Sequence, residues 1–137
     1  MTVPTAIATQ FQRDLNRTLD NDRNTRKRGL QKLLDDLPWA SKSQRKDLVD
    51  FVLNSVFNSL LVTLSDQVEK CRELTLSLFR KLIDVAGVAV GLDKTHTLVI
   101  KLCDRINETP FQEPAEELRL QVVDMLLLVY NLRVADK

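Results

Sequence analysis

Turn-forming residues are scarce in this chain. Its 137 residues include three glycines and four prolines, too few for the many tight turns of a β-rich fold. Aromatic residues make up only 5%. Neither sign of charge is in excess: 20 Lys and Arg against 19 Asp and Glu leave a net +1, so no overall field draws the chain to nucleic acid or an acidic membrane. No apolar run approaches the roughly 20 residues of a bilayer span. The opening "MTVPTAIATQFQRDL" has no apolar stretch of signal-peptide length. Cys71 and Cys103 both fall inside helical patterns and read as buried thiols of a reducing compartment, with no disulfide between them. These absences leave a soluble, cytoplasmic, all-helical protein as the expectation, with no membrane segment.

What is present is helical periodicity. Ile7, Phe11, Leu15 and Leu19 fall at steps of four, and Pro4 suits a first helical turn. The stretch "DND" at 20–22 supplies acceptor side chains for a turn and an N-cap. A second helix carries Leu30, Leu33, Leu34 and Leu37 on one face and stops at Pro38, and "PWASKS" connects it to the next. A long helix from about Ser43 to Leu64 places Leu48, Val52, Val56, Leu60 and Leu64 on one stripe, widened by Phe51 and Leu53. The segment "LSDQVEKCRELTLSLFRKLI" at 64–83 is a turn followed by a helix apolar on more than one side, reaching Ala86. "GVAVGLDKT" reads as a loop with Gly87 as helix C-cap and Val88 and Val90 tucked beneath it. A fifth helix is expected over 95–107, a break at "ETPFQEP", and a sixth from Pro114 towards Leu132.

The helix pairs repeat. An acidic residue precedes an arginine by six positions three times: Asp20 and Arg26, Asp66 and Arg72, Glu113 and Arg119. The position before each arginine is Thr25, Cys71 or Leu118. Four positions after it come Leu30, Leu76 and Val123; seven after, Leu33, Phe79 and Leu126; eleven after, Leu37, Ile83 and Tyr130. The units are offset by 46 and then 47 residues, a period that signals a helical solenoid.

At these residues the chain resembles a HEAT-repeat array. The resemblance implies a ladder along the inter-helix turns, in which each acid meets an arginine of its own or a neighbouring unit. The chemistry suits this, because an acceptor beside a helix N-terminus binds free N–H groups and a planar guanidinium bridges two acceptors. The alternative is six solvated helix-start charges, worth about 0–1 kcal/mol each. Two longer stretches are similar to the HEAT-repeat dynein axonemal assembly factor family. Leu64, Ser65, Asp66, Glu69, Cys71, Arg72 and Glu73 match one family motif, and Glu116, Glu117, Leu118, Arg119 and Leu120 match the next. Gln67 stands where that family usually has proline, and the similarity covers roughly 19–132. It implies a cytoplasmic, non-enzymatic scaffold that helps preassemble axonemal dynein arms for cilia and flagella.

Other motifs have a functional and a plainer reading. "RNTRKR" at 23–28 could be a nucleic-acid or nuclear-localisation patch, but no aromatics interleave with it and a solvated cap face suffices. "GVAVGLDKT" lacks the spacing and the preceding strand of a phosphate loop. His96, the single histidine, has no second ligand at metal spacing. Glu116 and Glu117 sit in a first helical turn, where the dipole favours them. Trp39 is either a plug over the end of a helix pair or a partner-binding anchor.

The expectation is an all-α chain, an α-solenoid of three antiparallel helix pairs (HEAT/armadillo-like) in one domain, with units at about 4–38, 43–86 and 95–132. The last helix, "LRLQVVDMLLLVYNLRV", has too few polar positions for a wet face, which points to further repeats after residue 137. No cofactor, metal or catalytic residue is expected. Partners would be proteins: dynein chains, chaperones or other assembly factors. The candidate partner surface is Lys27, Gln31, Trp39, Arg80, Lys81 and Asp124. The alternatives are another HEAT adaptor for transport, phosphatase scaffolding or microtubule binding, and a small enzyme built around a deep ionisable pocket.

Overall fold

The computed structural model describes residues 6–107 and 112–135. The expected first turn at Pro4 and the part of the sixth-helix break at 108–111 lie outside them. Every regular element among the described residues is helical, and the chain forms two compact units, Met1–Val85 and Ala86–Lys137.

In the first unit, α1 (Ala6–Arg17) buries Ile7, Phe11 and Leu15 at helical steps of four. The stripe does not continue to Leu19. The helix ends two residues earlier, the Thr18 hydroxyl folds back onto the Leu15 carbonyl at 2.6 Å, and Leu19 is left half exposed. Helix α2 (Arg23–Asp36) starts at Asp22, whose carboxylate accepts from the Thr25 N–H at 2.9 Å and the Thr25 hydroxyl at 2.8 Å. These two bonds hold the Asp22 carboxyl below its ordinary pKa. It stops because Leu37, ahead of Pro38, is forced into the extended region. The two helices lie very close. A Cβ on Gly29 would meet the Asp14 carbonyl oxygen at 2.7 Å, so α1 sits where a larger residue would stand.

The expected long helix is one continuous rod of three windings: α3 (Arg45–Phe51), a π turn (Val52–Val56) and α4 (Phe57–Thr63). The Phe57 N–H donates to Val52 O, five residues back. The hydrophobic spacing accounts for this. Leu48, Val52, Val56, Leu60 and Leu64 recur every four residues, and an α-helix carries each such step roughly 40° past a full turn. A wider turn in the middle cancels part of that drift, and all five residues are at most 2% exposed. Helix α5 (Glu69–Ala86) packs on this rod. Phe79 meets Phe57 edge-on with ring centroids 5.7 Å apart, and the buried hydroxyls of Thr75 and Thr63 are hydrogen-bonded at 2.7 Å. Cys71, Leu74, Leu76, Leu78, Leu82 and Ile83 are all buried, so the helix is covered on several sides as its sequence requires. Each such fully buried side chain contributes about 1.5–3 kcal/mol of apolar transfer.

The second unit corrects the loop expected at "GVAVGLDKT". Gly87–Val90 is a 3-10 turn, and α6 (Gly91–Asp104) begins four residues before the expected start. Gly87 (φ 52°) and Gly91 (φ 82°) take the left-handed backbone that ends one helix and starts the next. Val90 is buried, but Val88 is half exposed rather than tucked in. Helix α7 (Glu116–Ala135) packs on α6, and its buried side carries Leu118, Val122, Met125 and Val129. Its other side carries Leu120, Val123, Leu127, Tyr130 and Val134, all between 48% and 64% exposed. No helix is long and apolar enough to cross a membrane among the described residues.

Candidate functional site

The three acid-to-arginine steps form the same local joint. Arg26 donates through one terminal nitrogen to the carbonyls of Asp20 (3.1 Å) and Asn21 (2.9 Å). Arg72 does so to Asp66 (2.9 Å) and Gln67 (3.2 Å), and Arg119 to Glu113 (3.0 Å) and Pro114 (2.9 Å). The acid closes each joint from the other side. Asp20 accepts from the N–H of Asp22, Asp66 from that of Val68 and Glu113 from that of Ala115, at 2.8–3.0 Å. The six-residue spacing has a physical reason: the arginine enters the second helix one turn after its N-terminus and reaches back to the carbonyls of the turn before it.

In the first unit one joint is tied to the next. The Arg26 guanidinium grips the Asp66 carboxylate with two bonds, Nε to Oδ2 at 2.7 Å and a terminal nitrogen to Oδ1 at 3.1 Å. Asp66 is 5% exposed and Arg26 18%, so water screens this pair little. The bond to Asp66 also holds the guanidinium above its ordinary pKa. In the second unit Glu113 pairs with Arg105 at 3.5 Å, and Arg105 also donates to the Gln112 carbonyl at 2.9 Å. Arg105 had no sequence signal, because it stands outside the repeating step of six.

The partner-surface candidates separate. Trp39, Arg80 and Lys81 come together on an open groove of about 850 Å³ in the first unit. One wall is the end of α2 and its connector, with Leu34, Leu37, Pro38 and Trp39; the other is a face of α5 with Ser77, Arg80, Lys81 and Asp84. Trp39 serves as the plug: its indole Nε1–H points inward to the carbonyls of Leu33 (3.2 Å) and Leu34 (3.0 Å) in the last turn of α2. The ring's other surfaces line the groove. Gln31 stands one turn behind, donating to both oxygens of Asp35 at 3.0 and 3.1 Å, and Asp35 lines the groove in turn. Lys27 is exposed on α2 away from the groove, and Asp124 is exposed on α7 in the second unit. Arg80 and Lys81 have no ion-pair partner among the described residues. The apolar wall was hidden in the sequence because Leu34 and Leu37 read as core. The signal that could have found it is an indole directly after a helix-ending proline.

His96 is exposed on α6, and Glu116 and Glu117 lie in the first turn of α7. Among the described residues no group of three His, Cys, Asp or Glu is placed to hold a metal ion. Cys71 and Cys103 are free thiols.

A family model described as "Dynein axonemal assembly factor 5-like, TPR repeats" matches residues 18–136. No curated protein and no solved structure matches the chain. The spacing of 46 and 47 residues exceeds the roughly 34 of a TPR unit, yet both are repeats of two helices. With nearly its whole length matched and the same joint built three times, the chain is an α-solenoid repeat scaffold and belongs to the dynein axonemal assembly factor 5-like family.

Proposed function

We propose that this chain is a non-catalytic, cytoplasmic protein-binding scaffold that takes part in preassembling axonemal dynein arms for motile cilia and flagella. The observation that carries the reading is the family match over 18–136, whose description names a dynein axonemal assembly factor. The groove supports it: an indole fixed in place beside two unpaired cations is a surface suited to holding another polypeptide. Partners are dynein chains, chaperones or other assembly factors. The outward stripe of α7 is covered by a further helical unit, since five large apolar side chains in helical register make a surface that proteins rarely leave wet.

Affinity purification with mass spectrometry, from ciliated and non-ciliated cells, tests the reading. Recovery of axonemal dynein chains from ciliated cells alone is the expected result. Recovery of tubulin or a phosphatase subunit in their place would assign the chain to another kind of helical-repeat adaptor.

A further inference from the structure

Within that scaffold reading, on which it rests, the groove defines the chemistry of its occupant. We infer that it takes an acidic peptide segment carrying one apolar side chain, which packs on Trp39 and Leu34 while flanking carboxylates pair with Arg80 and Lys81.

The α2 wall is apolar and stationary. Both the indole hydrogen bonds and the proline beside it fix the ring, so little side-chain freedom is lost when a ligand packs there. The α5 wall is polar, with its groups at helical steps of three and four, so Ser77, Arg80, Lys81 and Asp84 share one face. Of the four charges in the groove, Asp35 accepts from Gln31, whereas Arg80, Lys81 and Asp84 are exposed and without an ion-pair partner among the described residues. The free charges of the site are thus two cations to one carboxylate, opposite an apolar shelf. A nucleic acid fits poorly, because its continuous phosphates would meet Asp35 and Asp84. A peptide places its few carboxylates selectively.

The test uses the full chain and an array of synthetic dodecapeptides free of tryptophan. Each carries two or three Glu residues at varied spacing around one Leu, Ile or Phe, and a matched array carries Lys in place of Glu. Trp39 is the single tryptophan, so its emission reports occupancy directly. Acidic members are expected to shift that emission and their Lys counterparts to leave it unchanged. R80S/K81S is expected to weaken binding about five- to tenfold, D84N to strengthen it about twofold, and R80E/K81E to transfer preference to the Lys array. Both cations are exposed, so these variants keep the fold, and an unchanged circular dichroism spectrum checks that. The inference is overturned if no acidic peptide binds, if both arrays bind alike, or if R80E/K81E retains the acidic preference. Dynein chains recovered equally by wild type and R80E/K81E would leave the assembly reading standing and remove this one. Acidic-array binding without dynein recovery would do the reverse.

Discussion

At the scale of single residues, hydrogen-bond geometry decides what each charge is worth. Arg26 and Asp66 gain from two parallel bonds in a site with little water, which an ammonium group cannot reproduce. Arg26→Lys is expected to lower stability by about 1–2 kcal/mol, read as a shift in urea midpoint at unchanged slope. A substitution of Lys32, whose bond to Asp36 is exposed at both ends, should leave the midpoint nearly unchanged. Asp22 provides a pH signature. Its folded pKa lies below the unfolded value of about 3.9, so its contribution is present above that pH and is lost as pH falls through the folded value. Asp22→Asn keeps an acceptor at the cap without a titrating proton. Its stability should therefore fall less than that of wild type between about pH 4 and pH 2, followed by circular dichroism. The cysteines should differ too. Burial pushes the Cys71 thiol up and hides it, so a thiol-reactive dye is expected to label the partly buried Cys103 first, and both equally in denaturant.

At the scale of elements, the tightest constraint is the crossing of α1 and α2. An alanine at Gly29 would gain about 1 kcal/mol of helix propensity but would collide with backbone atoms of α1 that cannot move aside. Gly29→Ala is expected to destabilise the first unit by about 1–3 kcal/mol in net, measured by thermal or urea unfolding. A sequence shows only a helix-weakening glycine there, because close approach is a property of two elements together. Other elements were legible to different degrees. The helix pairs and their joints were open to reading, since Asp22, Leu37 before Pro38 and the arginine steps act within one turn of chain. The π turn was not, because its cause is the sum of small angular drifts over a five-residue stripe. The start of α6 at Gly91 was missed because two glycines so close together usually mark a loop. Here each supplies one left-handed residue, and helix resumes at once. The groove lay between these cases: Trp39, Arg80 and Lys81 were candidates, but only the fold brings them to one place.

At the scale of the whole molecule, the outward stripe of α7 is the largest unmet demand. Leu120, Val123, Leu127, Tyr130 and Val134 share a register that neither a turn nor a charge interrupts. If this stripe is covered by a further unit in the assembled array, the present chain should self-associate as its concentration rises. V123E/L127E is expected to suppress that association in sedimentation velocity without changing the helical content. A stripe that stays monomeric at high concentration in the unaltered chain would argue against a missing neighbour. The three joints bear on growth of the array in another way. Each keeps the bonds from its arginine to the turn carbonyls and from a turn N–H to its acid inside one short span, 20–26, 66–72 or 113–119, while the Arg26–Asp66 and Arg105–Glu113 pairs reach outside it. Copying such a segment in a genome copies a finished hinge, so a lineage can lengthen its array by duplication without waiting for complementary changes to arise elsewhere.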